Sequence, residues 1–314
     1  MFLRNAWYVG AWSNELVQDK LLPRTLLDDP IVFFRTQTGT AAALFDRCPH
    51  RFAPLSRGRL EGEAIECGYH GLRFDRTGAC VLNPYNPGHV PPRAHVRTYP
   101  LHEQQGIVWI WMGEAGRADP SLIPDFPQLA DESGWHTVRG YLNTPANYQL
   151  AIDNLMDLTH PEFLHDASLG SPAHKSAQYE VEQRGARLIR SNRWYDAGPL
   201  PPVMELSFPT NGRPVTHWAD MYWHAASSLW LDVGATFPVG REQRGCRHTL
   251  ATSSHLKRRA QHTTSSVSHA PLRWLARRTT MPSWSSCYGA SFPERILRCC
   301  LPSKTEWVVT TCGR

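Results

Sequence analysis

An α+β chain of two unlike halves is predicted from three observations. Short β-prone runs punctuated by Pro and Gly recur through the first 112 residues. The second half holds one strong helical pattern, Asn147 to Thr159. Between the halves, residues 113–127 (GEAGRADPSLIPDFP) carry Gly and Pro without periodicity, which reads as a connection.

The elements follow in order. Asp28-Asp29-Pro30 reads as a turn into the strand Ile31-Val32-Phe33-Phe34, and Thr38-Gly39 as a break before a strand at Ala41 to Phe45. Asp75-Arg76-Thr77-Gly78 is a hairpin signal ahead of Ala79 to Leu82, and Ile107 to Trp111 closes the series. Evenly spaced short strands of this kind make a small all-β domain over residues 1–112. A further strand is expected near Trp135 to Leu142. The helix after it places Leu150, Ile152, Leu155, Met156 and Leu158 on a buried flank, and Pro161 interrupts it.

Composition excludes several classes. The longest apolar run, Ile107 to Met112, is far short of the ~20 residues a membrane helix needs. The start, MFLRNAWYVG, lacks the basic and apolar segments of a signal peptide, so a soluble cytoplasmic protein is expected. A disulfide framework is then disfavoured for the eight cysteines, and metal ligation becomes the alternative. The net charge of +5 is uneven. Residues 256–314 hold ten Lys/Arg against two Asp/Glu, which leaves the body of the chain mildly acidic. No nucleic-acid motif accompanies that basic tail.

The residues DRCPHR and ECGYHG set Cys48, His50, Cys67 and His70 in the spacing C-x-H-x16-C-x-x-H. Zinc takes two Cys and two His, but zinc fingers usually pair like with like on each arm. Mixed arms suit two loops straddling a [2Fe–2S] cluster, with both thiolates on one iron and both imidazoles on the other. Replacing two thiolates by neutral imidazoles makes such a cluster less negative, and its potential rises to roughly −150 to +300 mV. Farther on, NLMDLTHPEFLH sets Asp157, His160 and His165 in a D-x-x-H-x4-H pattern. On one straight helix the two histidines would lie roughly 140° apart and could not share a metal. Pro161 relieves this by taking His160 off helical geometry and letting His165 swing round. Two imidazoles and a carboxylate form the facial triad of non-haem iron oxygenases.

With these motifs, and with the flanking words NAWYVG, CPHRFAPLSRG and CGYHGLRFD, the chain resembles the Rieske-type non-haem iron oxygenases. The branch it is most similar to is the aromatic O-demethylases, which includes vanillate demethylase and dicamba monooxygenase. The resemblance implies an N-terminal Rieske domain and an α+β catalytic domain over residues 128–255, its antiparallel sheet and helices enclosing an iron pocket. It implies a [2Fe–2S] cluster, mononuclear Fe(II), and electrons from NAD(P)H through a separate flavin/iron–sulfur reductase. The implied reaction is O2-dependent demethylation of a methoxylated aromatic acid such as vanillate. His160 and His165 hold the iron. Asp157 bridges a histidine of that site to a cluster histidine of the next subunit, or else orients His160, and Asn154 lies beside them. The implied assembly is a head-to-tail homotrimer, with no nucleic-acid or membrane partner.

One feature departs from the family, which takes a third iron ligand, a carboxylate, from a helix near the C-terminus. Here the last Asp is Asp232, and only Glu242, Glu294 and Glu306 follow it. Relatives continue after Leu256 with T-P-E and an aromatic-rich strand, whereas residues 256–314 are a basic Ser/Arg/Cys-rich tail without visible periodicity. The tail reads as an out-of-frame translation, with a divergent basic extension as the alternative. An inactive remnant or a simple Rieske electron carrier is the rival to the oxygenase for that reason.

Overall fold

The computed structural model describes residues 2–130, 136–143, 147–186, 188–206, 208–237, 245–255 and 304–311. The first half contains β1 (Trp7–Trp12), β2 (Leu22–Leu26), β3 (Asp29–Arg35), β4 (Ala41–Phe45), β5 (Arg59–Glu61), β6 (Ala64–Glu66), β7 (Arg73–Asp75), β8 (Cys80–Leu82), β9 (Leu101–Gln104) and β10 (Ile107–Trp111). They form three antiparallel sheets in the orders β1-β10-β9, β2-β3-β4 and β5-β6-β7-β8.

The two apolar runs that stand out in the sequence are buried on both faces. In β3, Ile31 and Phe33 join Tyr8, Val108 and Ile110 in one core. Val32 and Phe34 point the other way, into a core shared with Ile65, Phe74, Cys48 and Cys67. In β10, Trp109 and Trp111 face a third cluster with Ile123, Phe126, Leu129 and Trp230. A strand buried on both faces reads as a continuous apolar run, which is why IVFF and IVWIW do not alternate.

One expectation for this half needs correction. The β2–β3 turn lies at Leu27-Asp28, both at positive φ (51° and 66°), and Asp29 and Pro30 already belong to β3. A two-residue hairpin needs left-handed residues at its centre, and Asp accepts that conformation better than most. The 113–127 connection is not loose. It winds through three short 3-10 turns, is held by bonds from Trp7 Nε1 to the Asp119 carbonyl (2.7 Å) and Trp111 Nε1 to the Glu114 carbonyl (2.9 Å), and buries Ile123 and Phe126. Phe126 stacks on Trp230 of the second half at 5.3 Å and 13°. Phe126→Ala is therefore expected to cost about 3–5 kcal/mol of stability, read as a lowered denaturant midpoint.

The second half contains β11 (His136–Asn143), α1 (Tyr148–Met156), α2 (Pro161–Leu164), β12 (Gln178–Arg184), β13 (Leu188–Gly198), α3 (Pro202–Glu205), β14 (Val215–His224), β15 (Ser228–Thr236), β16 (Gly245–His255) and β17 (Lys304–Thr311). One seven-stranded antiparallel sheet runs β11-β17-β16-β15-β14-β13-β12. The all-β half followed by a sheet-and-helix half is the predicted α+β class. Helix α1 packs on one face of the sheet through Ile152, and Leu158 beyond its end joins the same cluster with Met221 and Leu229. Leu150 is 52% exposed, so the expected apolar flank is narrower than the pattern suggests. The helix also ends at Met156 and does not reach Thr159. Pro161 opens α2 at its first position, where the missing N–H costs nothing.

The tail contributes β17, which pairs with β11 on one side and β16 on the other. The segment KTEWVVTT is dense in Thr, Val and Trp, residues that suit a pleated surface. It lies in a composition that otherwise hides it. The remainder of the tail, residues 256–303 and 312–314, lies outside the described residues.

Candidate metal centres

The loops before β5 and after β6 present the Cys/His motif as two near-copies. In each, the cysteine N–H donates to the carbonyl five residues on (Ala53 and Leu72, both 2.8 Å). Its carbonyl accepts from the N–H four residues on (Phe52 at 2.9 Å, Gly71 at 3.0 Å). Phe52 and Gly71 take matching positive φ values of 59° and 70°. Each loop is clamped at its base. Ser56 donates through N–H and hydroxyl to the buried Asp46 carboxylate (2.7 and 2.6 Å), and Arg73 grips Glu66 at 2.7–2.8 Å.

The loops touch where neither has a side chain. A Cβ on Gly58 would lie 1.9 Å from the Glu66 carbonyl oxygen, and one on Gly68 would lie 2.9 Å from that of Arg57. Gly58→Ala must push the two ligand loops apart, so it is expected to lower cluster occupancy severalfold, measured as acid-labile sulfide per chain.

Cys48 and Cys67 are each 2% exposed, His70 is half-buried and His50 is exposed. The donor set thus has a thiol end inside and an imidazole end outside. The His50 and His70 ring centres are 4.5 Å apart. An imidazole nitrogen binding a metal at about 2.0–2.1 Å puts the ring centre about 3.2 Å away. Two rings at 90–110° on one ion are then about 4.5–5.3 Å apart, so His50 and His70 fit a shared iron. Burial pushes the Cys48 thiol up to about 11, and the adjacent Cys67 adds to this, so these thiols become ligands by exchanging a proton for a metal. Among the described residues no three His, Cys, Asp or Glu side chains are placed to hold one ion. A thiol pair inside and an imidazole pair outside suit two irons with two protein ligands each.

The second constellation sits on the turn between α1 and α2. Asp157 ends α1 with ψ 100°, while His160 is helical (φ −68°, ψ −25°) as the residue preceding α2. The helix therefore breaks at Asp157, four residues before the proline expected to interrupt it, and the two histidines flank α2 at its opposite ends. His165, 8% exposed, closes α2, and the two ring centres are 5.4 Å apart at 75°. That spacing matches two imidazoles on one ion.

The alternative to a bridging Asp157, a carboxylate that orients His160, does not hold, because the main chain supplies that orientation. The His160 Nδ1 meets the Asp157 carbonyl oxygen at 2.5 Å, which directs Nε2 to the metal. The carboxylate turns instead to Thr159, its Oδ1 accepting from the Thr159 N–H (2.8 Å) and hydroxyl (2.6 Å). Partial burial pushes the Asp157 carboxyl up, but the Thr159 donors and nearby His160 outweigh it, and it sits below its ordinary value. Sequence reasoning missed Thr159, although Asp-x-Thr is a readable side-chain turn. Asn154 lies half-buried on α1, one turn before Asp157.

Residues 6–100 match the Rieske [2Fe-2S] domain family, and residues 144–256 match the vanillate O-demethylase oxygenase C-terminal domain family. The oxygenase component of dicamba O-demethylase from Stenotrophomonas maltophilia is 39% identical over 252 residues, which span 80% of this chain and 73% of that relative. This chain belongs to the Rieske-type non-haem iron oxygenases. The vanillate O-demethylase oxygenase subunit of Pseudomonas sp. (strain HR199 / DSM 7063) is 35% identical over 74% of this Rieske oxygenase and 66% of its own length. A crystal structure of dicamba monooxygenase bound to 3,6 dichlorosalicylic acid superposes with a TM-score of 0.80 at 30% identity, covering 99% of this oxygenase and 78% of that chain. The family's cofactors, a [2Fe–2S] cluster and a non-haem iron, agree with the donor sets at the two loop pairs. No helix among the described residues is long and apolar enough to cross a membrane.

Proposed function

We propose that this chain is the oxygenase component of a multicomponent monooxygenase and removes the O-methyl group of a methoxylated aromatic acid such as vanillate as formaldehyde. The observation that carries this is the joint presence, in one chain, of a mixed-arm Cys/His loop pair and a two-histidine turn. The dicamba and vanillate O-demethylase relatives support the substrate class. In this reading Cys48, Cys67, His50 and His70 hold the cluster, and His160 and His165 hold the mononuclear iron. When bound, these groups deliver single electrons and activate O2 against the methyl carbon. A separate reductase feeds the cluster from NAD(P)H, and a head-to-tail homotrimer sets each cluster beside a neighbour's iron.

The chain's own residues prepare that chemistry. The Asp157 carbonyl fixes the His160 tautomer, and Thr159 holds the Asp157 carboxylate at the exposed end of α1, where a group from another subunit can reach it. In the chain with its third iron ligand restored, Asp157→Asn is expected to leave both metal contents within about 20% of the parent, because the carbonyl that orients His160 remains. Turnover should fall at least about tenfold, since a neutral amide can no longer accept from a charged or N–H partner with equal strength. Unchanged turnover at intact iron content would make Asp157 an ordinary helix cap.

A second reading, an electron carrier or inactive remnant, is favoured by one observation: no third iron ligand joins His160 and His165 among the described residues. The deciding experiment supplies the chain with reductase, NADH, O2, ferrous iron and vanillate. Vanillate-dependent formaldehyde, absent from His160→Ala, supports demethylation. NADH-driven cluster reduction without formaldehyde supports the second reading.

A further inference from the structure

His217, on β14, is 2% exposed, and neither ring nitrogen has a hydrogen-bond partner. Its ring stacks on that of Tyr195, directly opposite on β13, at 4.2 Å and 12°. The third ring is His174, in the 3-10 turn Pro172–Ser176, and its Nδ1 is likewise buried and unpartnered. That turn follows closely on the iron-binding segment, since the Gly170 N–H returns to the His165 carbonyl at 2.8 Å. On the far side of His217 the opposing residue is only Ala235.

Buried polar nitrogens without partners are unfavourable, and three of them on two neighbouring elements point to a missing partner. The spacing identifies the kind. The His174 and His217 ring centres are 6.4 Å apart. A shared metal, about 3.2 Å from each centre, would have to sit on the line between them. A shared oxygen, hydrogen-bonded at about 2.8 Å, lies about 4 Å from each centre and spans about 6.4 Å at a tetrahedral angle. The gap is that of an oxygen. We propose that His174, Tyr195 and His217 form a binding site for the hydroxyl group of a small uncharged phenol or alcohol, its oxygen held between the two imidazoles.

The chemistry of the groups selects a hydroxyl. Burial, with His174 beside it, pushes His217 down to about 4, and burial lowers His174 against the opposing charge of Glu162, with Arg193 adding to the fall. Both rings are neutral, so each offers one donor and one acceptor. A hydroxyl answers both, an ether offers only an acceptor, and a carboxylate would require a buried imidazolium. The inference concerns binding alone and stands apart from the demethylation reading.

Phenol, toluene and benzoate titrated into the full-length chain by calorimetry test it. Phenol is expected to bind at least about tenfold more tightly than toluene. His217→Phe and His174→Phe should each abolish that preference while leaving toluene binding unchanged. Equal binding of phenol and toluene, or a preference that survives both substitutions, would mean that the rings hold an internal water only. Tighter binding of benzoate through the same histidines would overturn the hydroxyl class. If either variant fails to fold, 15N-histidine NMR of the unaltered protein decides. Phenol must move the ring-nitrogen resonances of His174 and His217 where toluene does not, and unmoved resonances overturn the proposal.

Discussion

Cys48→Ser and His70→Ala should each eliminate the visible absorption and the reduced-state EPR signal of the cluster and lower the melting temperature of the first half by on the order of 10 °C. The structural reason is that the ligand loops have few other reasons to stay closed. Cys48 and Cys67 belong to the same apolar core as Val32, Phe34, Ile65 and Phe74, so a cluster held by these thiols would be continuous with the domain's interior. The two loops meet backbone to backbone at Gly58 and Gly68, and no side chain crosses between them there. A cluster held by Cys48 and Cys67 would therefore join two loops that Asp46–Ser56 and Glu66–Arg73 clamp separately at their bases. The two variants separate the contributions. Cys48→Ser removes an inner ligand and leaves a hydroxyl in the core, whereas His70→Ala removes an outer ligand with little packing. If the cluster dominates, both melt alike. An unaltered EPR spectrum in either variant would remove these residues from the ligand set.

Much of this was legible in the sequence for identifiable reasons. Ligand spacing is a local property, and CPHR and CGYH each fit within a single loop, so the motif survives reading in one dimension. The runs IVFF and IVWIW announced strands because burial on both faces leaves no polar residue to confuse the period. What failed depended on geometry that residue type does not encode. The helix end at Asp157 comes from one residue's ψ of 100°, whereas Pro161 was the more conspicuous signal. The orientation of His160, one of the two roles open to the Asp157 side chain, belongs to its carbonyl, which every residue has. His217 is an ordinary strand residue until β13, β14 and the 172–176 turn bring three rings together. The strand at Lys304–Thr311 was masked by a tail whose overall composition argued against order.

The mononuclear site should be nearly empty in this chain as it stands, with less than about 0.1 iron per chain beyond the two of the cluster, measured by metal and sulfide analysis after anaerobic purification. Two imidazoles satisfy neither the charge nor the denticity that Fe(II) needs, and a facial triad takes its carboxylate for both. Glu306 is the only carboxylate of the tail within a described element, and the sheet register places it poorly. Glu306 pairs with Ser253, Ser253 with Ser228, and Ser228 with His224. His224 meets Phe126 on the connection-facing side of the sheet. Helix α1 and Leu158 pack instead on the alternate row, Met221 and Leu229. By register, Glu306 thus belongs to the His224 row and not to the row on which α1 packs. Iron content should consequently be the same in Glu306→Gln as in the parent. We propose that an out-of-frame tail after Leu256 accounts for the missing ligand, and the underlying gene tests this directly. One of the two other frames should encode a T-P-E strand and a helix bearing an Asp, and restoring it should raise iron to three per chain with formaldehyde-forming activity. A full third iron in the unaltered chain would defeat the prediction and leave Glu294 as the residue to substitute next.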